Sequence, residues 1–207
     1  MAGTYGSPLA SIPSLRIPRT GSAGGFGARR SPTHVHQGVD LVYPVGTPWT
    51  AIADGIVEYA SNGPARGFGG YGKIAVLRFT ALDGQPLWVL YAHGREVFVS
   101  PGQHVARGET LGEIGRSRYL GGDPSDDGRM GAHLHLELAT RAYPMGPEAP
   151  YRIDPYRWFQ QMRVVVPGEA KAFLPMLEDQ PAVMPWIYAM AGLLFGAVAT
   201  VALSERN

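Results

Sequence analysis

The chain has 207 residues, 45% of them hydrophobic and 17% charged, which is enough for one domain of ordinary size with a real core and leaves little for a second. A formal charge of +1 argues against a nucleic-acid partner bound by phosphate neutralisation, and the absence of cysteine excludes a disulfide framework and thiolate ligands. Any transition metal must then be held by histidine and carboxylate.

Residues 1–24 are rich in Gly, Ser and Pro without a sustained period, which describes a flexible arm that stays extended or disordered unless a partner orders it. The first 33 residues carry Arg16, Arg19, Arg29 and Arg30 and no acid, a local excess suited to an anionic surface. Pro8, Pro13, Arg16, Pro18 and Arg19 interrupt any apolar run of signal-peptide length, so no Sec-type export signal is readable. From Gly25 the texture changes, and His34, His36 and Asp40 fall within seven residues. His36 and Asp40 are four apart, which is same-face in a strand or on a helix, and Gly38 favours a loop running into a strand.

Short apolar segments with turn signals between them then predict strands at 49–53, 55–60, 73–81, 86–93, 97–99 and 110–114. Asp83-Gly84 supplies a hairpin turn between 74–79 and 87–91, because glycine accepts the positive φ a tight turn needs, and His93 closes the returning strand. The Gly-rich stretches 63–72 and 116–131 read as loops around a cleft, the second bringing Asp123, Asp126 and Asp127 up to a further strand. In that strand, Gly131 to Leu138, histidine alternates with leucine. His133, His135 and Glu137 share one face while Leu134, Leu136 and Leu138 fill a core behind them. A half-buried strand with a polar outer face explains one His-x-His pair taken alone; the His36/Asp40 and His93 motifs argue for a site. Asp154 and Pro155 predict a short helix, with Asp154 at the cap and Pro155 in the first turn.

The end of the chain differs in kind. From Pro181 to Leu203 there is no charged residue, a length sufficient to cross a hydrocarbon core, with Trp186 and Tyr188 near one end and Glu205 and Arg206 at the other. This predicts a transmembrane helix over 182–203 that anchors the domain to a lipid bilayer, with a linker at 161–181. Gly192 and Gly196 fit the small-residue spacing of packed membrane helices.

Histidine and carboxylate suffice for a catalytic zinc, which takes three protein ligands and leaves a fourth position open. Spacing alone leaves His133 and His135 as alternatives beside His36 and Asp40. In order and spacing, His36-x-Gly38-x-Asp40, Tyr91-x-His93 and His133-x-His135 resemble the lysostaphin-type zinc endopeptidases, the glycyl-glycine endopeptidase family that cuts peptidoglycan peptides. Pro44 to Pro48, Ala53-Asp54-Gly55-x-Val57, Gly70-Tyr71-Gly72, Gly102-x-x-Val105 and Asp154-Pro155 also look like that family, so the resemblance covers residues 25–160. It implies a mainly β fold, a single antiparallel two-layer or partly open β-sandwich. It also implies one zinc ion held by His36, Asp40 and His135, and a peptidoglycan peptide substrate. His133 is then the candidate general base and His93 the group that orients the water or stabilises the oxyanion, with the division between them left open by the sequence; Tyr91 is a candidate substrate contact.

Gly94 stands where the family usually has a bulky aliphatic residue, and the 116–131 connection is longer than usual. His34 lies beside the first ligand, though an exposed histidine accounts for it as for His104. Two other classes compete with the enzyme: a catalytically silent peptidoglycan-binding regulator, and a structural component of a membrane-containing virus particle or secretion machine.

Overall fold

Runs of β-branched, aromatic and leucine residues broken by glycine turns become eleven strands and one helix among the described residues, which in this computed structural model are 5–12, 15–63, 67–117, 131–145 and 150–164. In chain order the strands are β1 Arg29–Ser31, β2 His34–Val35, β3 Val39–Leu41, β4 Pro48–Thr50, β5 Gly55–Ser61, β6 Lys73–Thr80, β7 Pro86–Val97, β8 His104–Val105, β9 Thr110–Ile114, β10 Leu134–Ala139 and β11 Arg152–Ile153, followed by helix α1, Pro155–Val164. The described elements, except for the last residue of α1, belong to one compact unit, Met1–Arg163.

Strands β1 and β2 form a separate two-stranded ribbon. The other nine make one antiparallel sheet in the order β11-β10-β7-β6-β5-β8, from which β3 branches off β10 and β9, carrying β4, branches off β7. The sequence anticipates the long hairpin β6–β7: Gly84 has φ +83° and donates its N–H to the Ala81 carbonyl. Strand β8 and the short ribbon escaped the sequence reading, because two or three residues are too few to show a period.

Alternation sorts the apolar residues into two clusters. Leu77 and Phe79 of β6, Leu87, Val89 and Tyr91 of β7, and Leu134, Leu136 and Leu138 of β10 join one large core. Ile74, Val76, Leu90 and Ala92, from the intervening positions, pack with Phe68 in a smaller cluster on the opposite face. Tyr91 therefore goes into the core. It is fully buried beside Trp49, and its hydroxyl accepts the Ile52 N–H at 3.1 Å, so it has no surface to offer a substrate and the substrate contact expected of it is withdrawn.

Helix α1 closes the large core with Trp158 and starts as its sequence predicts, Asp154 Oδ1 accepting the Tyr156 N–H at 2.9 Å. The N-terminal arm departs from its expected disorder. Leu9 and Leu15 are buried, Tyr5 packs on Phe79 and Trp158, and the Gly6 N–H donates to Ile52. Composition concealed this, because its few apolar residues fill gaps in a core made by distant strands rather than forming one of their own. The linker beyond Val164, the expected transmembrane helix with Gly192 and Gly196, and most of the 116–131 connection lie outside the described residues. Among the described residues no helix is long and apolar enough to cross a membrane.

Candidate metal centre

Strand β10 lies between β3 and β7, and its register sets the site: His135 is opposite Asp40 on one side and Ala92 on the other. His36 precedes β3, following the ribbon directly. Three atoms converge here. His36 Nε2 lies 3.0 Å from Asp40 Oδ1 and 3.1 Å from His135 Nδ1, and His135 Nδ1 lies 2.9 Å from the same Asp40 oxygen.

The other ring nitrogens are tied down. His36 Nδ1–H donates to the Gly25 carbonyl at 2.8 Å, which leaves Nε2 with its lone pair toward Asp40. His135 Nε2–H donates to Glu137 Oε1 at 3.1 Å, which frees Nδ1. Three lone-pair atoms this close repel one another unless a cation sits among them. Burial disfavours charge on His135, but hydrogen bonds to Asp40 and Glu137 outweigh it and raise its pKa to about 9. Burial likewise works against the Asp40 anion, and its close contacts with His135 and His36 overcome it, holding the carboxyl well below the usual range. A divalent metal meets the same demand better than a proton. Tetrahedral zinc at roughly 2.0–2.1 Å from each ligand holds its ligands about 3.3 Å apart, so the three residues fit zinc with shifts of a few tenths of an ångström.

Glu137 has almost no exposed surface and carries a role the sequence reading did not give it. Its Oε1 accepts from His135 and from the Tyr71 hydroxyl at 2.6 Å; its Oε2 accepts from Arg152 Nε at 2.7 Å and the Tyr143 hydroxyl at 3.0 Å. Burial alone would raise its pKa, yet the His135 hydrogen bond and charge, with Arg152 and Tyr71, hold it down to about 2. Alternation had placed Glu137 on the histidine face, and Gly70-Tyr71-Gly72 had marked the loop. Nothing in the sequence pointed to Tyr143 or Arg152.

Two more imidazoles border the cluster. His133 lies just before β10, bridged to Gly115; its Nδ1–H donates to the Gly131 carbonyl at 2.7 Å and its Nε2 is 3.7 Å from Asp40 Oδ1. Burial lowers its pKa. His93 would share the core-facing side of Tyr91 in a regular strand. Instead an extra residue in β7 opposite Lys73–Ala75 and a left-handed backbone at His93, φ +65°, turn it to the other face. There its ring centroid is 4.8 Å from that of His133 and 5.7 Å from that of His135. Its Nδ1–H donates to the Ser117 carbonyl at 2.9 Å, and burial, then the neighbouring His135 and His133, push its pKa down to about 3.

Gly94 follows for a steric reason: a Cβ there would lie 2.8 Å from Cη2 of buried Trp49, whose indole fills the space an aliphatic side chain would take. His34 and His104 are exposed and outside the cluster, and His36, Asp40 and His135 are the group among the described residues able to hold a metal.

Comparison with known proteins agrees. The profile of peptidase family M23 matches residues 34–147, more than half of the chain. The peptidoglycan DD-endopeptidase ShyA of Vibrio cholerae is 32% identical over 111 residues, covering 53% of this chain and 21% of that protein. The DD-carboxypeptidase/endopeptidase Mpg of Neisseria meningitidis is 30% identical over 126 residues, covering 59% and 25%. The chain thus spans about a quarter or less of these curated relatives. Among solved structures, the antimicrobial peptidase lysostaphin from Staphylococcus simulans superposes with a TM-score of 0.56 at 21% identity, over 81% of this chain and 58% of that one, a likeness of fold.

Proposed function

The chain belongs to peptidase family M23, and from that membership together with its histidine cluster we propose that it is a zinc-dependent endopeptidase that hydrolyses peptide bonds of peptidoglycan stem peptides or cross-bridges. One observation carries the reading: His36 Nε2, Asp40 Oδ1 and His135 Nδ1 converge within 2.9–3.1 Å while two further imidazoles, His93 and His133, stand beside them without joining the set. His36, Asp40 and His135 would hold the zinc, which when bound acidifies water and polarises a carbonyl.

The remaining residues handle protons. Burial disfavours charge on His133 and its Nδ1–H is committed to Gly131, so Nε2 is free to take the proton of the attacking water and return it to the leaving amine. His93, with Nδ1–H on Ser117, also presents an acceptor at Nε2, which suits orienting the water better than donating to an oxyanion. The two imidazoles are close enough to titrate as a coupled pair.

Metal analysis of the purified chain and mass spectrometry of digested sacculi test this together: one zinc per chain and new peptide termini are expected. Zinc without turnover would favour the silent regulator, and full turnover in metal-free protein would end the zinc mechanism. We also propose, from the uncharged run at 181–203 alone, that a C-terminal helix anchors the domain to a membrane, either a cell membrane with the domain facing the wall or that of a phage particle. Cutting after Asp179 should then release a soluble, zinc-containing, active domain. A full chain soluble without detergent, or a truncation that aggregates, would make the segment part of a packed core.

A further inference from the structure

The turn that ends the N-terminal arm, Arg19 to Gly25, lies against two of the three candidate metal ligands. Ser22 N–H and Oγ–H both donate to the Arg19 carbonyl, at 3.0 and 2.7 Å, and the Gly25 N–H donates to the Ser22 carbonyl at 2.8 Å. Two carbonyls of this turn then meet the 36–40 segment: that of Gly25 accepts His36 Nδ1–H and that of Gly24 accepts the Asp40 N–H, each at 2.8 Å. Just beyond the turn, Arg30 sits where the β1–β2 register slips and donates from Nη2 to Asp40 Oδ2 at 2.5 Å, leaving Oδ1 toward His36 and His135. Gly24, Gly25 and Arg30 all precede residue 34, where the match to the family profile begins.

The turn has no slack. A Cβ on buried Gly25 would lie 1.9 Å from the Arg19 carbonyl oxygen, an approach that only glycine permits. The rest of the arm is fastened to other parts of the domain: Leu9 and Leu15 join the large core, the Pro8 carbonyl accepts the Thr50 N–H at 2.8 Å, and Thr20 Oγ1–H donates to Asp154 Oδ2 at the start of α1. Among the described residues before Arg29 there is no strand or helix, so the arm can open at lower cost than the sheet it covers. The partner that fixes a ligand's tautomer and aim also sets its affinity for metal. For His36 that partner belongs to the arm.

Given the metal centre described above, we propose that the arm is a positioning element of that centre: seated, its last turn aims His36 and Asp40 at the metal, and a bound metal in turn locks the arm in place. Coupling of this kind is reciprocal, so the factor by which seating raises metal affinity is the factor by which metal suppresses unseating. The third ligand, His135, is aimed by Glu137 instead, so loss of the turn weakens the site without abolishing it. Arm and metal are coupled in this way whether or not the chain turns over a substrate.

The test uses the full-length chain, zinc as the metal, and two readouts independent of turnover: competition for zinc against a chelator, and hydrogen exchange over residues 20–28 with the β6 amides marking global opening. In the metal-free wild type, residues 20–28 should exchange ahead of β6, and zinc should slow them by about 10- to 100-fold. Gly25→Ala should lower zinc affinity by a similar factor and bring the slowing by zinc close to one. Leu15→Ala, which loosens the arm in the core and leaves the turn intact, should speed metal-free exchange over 20–28 and keep the slowing by zinc. Exchange over 20–28 that zinc leaves unchanged, or that is no faster than that of β6, overturns the proposal, as does a folded Gly25→Ala protein with wild-type zinc affinity. Should Gly25→Ala fail to fold, exchange in the wild type and in Leu15→Ala decides. A wild type that takes up no zinc would overturn the metal centre together with the arm's role, whereas zinc uptake without the coupling overturns the arm's role alone.

Discussion

Replacing Glu137 with glutamine tests whether this buried carboxylate aims a metal ligand or only supports the fold. The substitution keeps size and removes charge. Four donors point at the carboxylate, two at each oxygen: His135 and Tyr71 at Oε1, Arg152 and Tyr143 at Oε2. An amide accepts at one end only. Its NH2 must face either Arg152 and Tyr143 or His135 and Tyr71, so in each orientation donor meets donor, and Arg152 loses the charge of Glu137 at a site where both side chains are almost fully buried. Removing one partner of a buried ion pair costs about 3–5 kcal/mol, and the acceptor that glutamine retains places Glu137→Gln near 3 kcal/mol. For a domain of this size that lowers the Tm by roughly 6–12 °C. If Glu137 also holds His135 in the tautomer that frees Nδ1, zinc affinity should fall by about 10- to 100-fold. Thermal melts of the metal-free protein and competition for zinc against a chelator read the two effects separately. A lower Tm with unchanged zinc affinity would show that Glu137 serves the fold alone, and no change in either would refute the reasoning.

The histidines should divide by role: His36→Ala, Asp40→Ala and His135→Ala should lose zinc and activity together, while His133→Ala and His93→Ala should keep most of the zinc and lose turnover by about two orders of magnitude. A site emptied by His133→Ala and not by His135→Ala would invert the assignment on β10. In the metal-free protein, His93 is held from 6.5 down to about 3 and Glu137 from 4.5 down to about 2, so their contributions to stability disappear as pH falls through those intervals, whereas His135, raised from 6.5 to about 9, contributes fully below 6.5 and loses its contribution as pH climbs to 9. Melts in chelator should therefore show a Tm maximum near pH 6.5, with zinc lifting the alkaline limb; a flat profile would contradict the shifts. Gly94→Val should cost roughly 1–3 kcal/mol in denaturant unfolding, because the Trp49 ring it meets is also pinned against Gly112 and cannot retreat, and Trp49→Leu in the same chain should recover part of that loss. A Gly94→Val protein as stable as the wild type would mean the ring has room after all.

Local pattern was enough for much of this protein. The His-Leu alternation at 133–138 fixed which side chains of β10 face the core, because a strand permits only two directions. Asp83-Gly84 set the hairpin and Asp154-Pro155 the helix start, since turns and caps depend on a few adjacent residues. The spacing of His36 and Asp40 brought a carboxylate and an imidazole together without any knowledge of the rest of the chain.

What needed the tertiary structure was everything decided between distant segments. Alternation treats His133 and His135 alike; pairing with β3 puts His135 opposite Asp40 and leaves His133 just outside the strand, at the edge of the cluster. His93 reaches the site only because a bulge and a left-handed backbone reverse the direction its distance from Tyr91 implies, and a bulge is a mismatch between two strands that neither sequence announces. The buried arm, the network that closes on Glu137 from Tyr71, Tyr143 and Arg152, and the turn of Arg30 onto Asp40 are likewise contacts between segments far apart in the chain or re-aimed by strand pairing. Periodicity records which face a residue takes, and packing decides what that face meets.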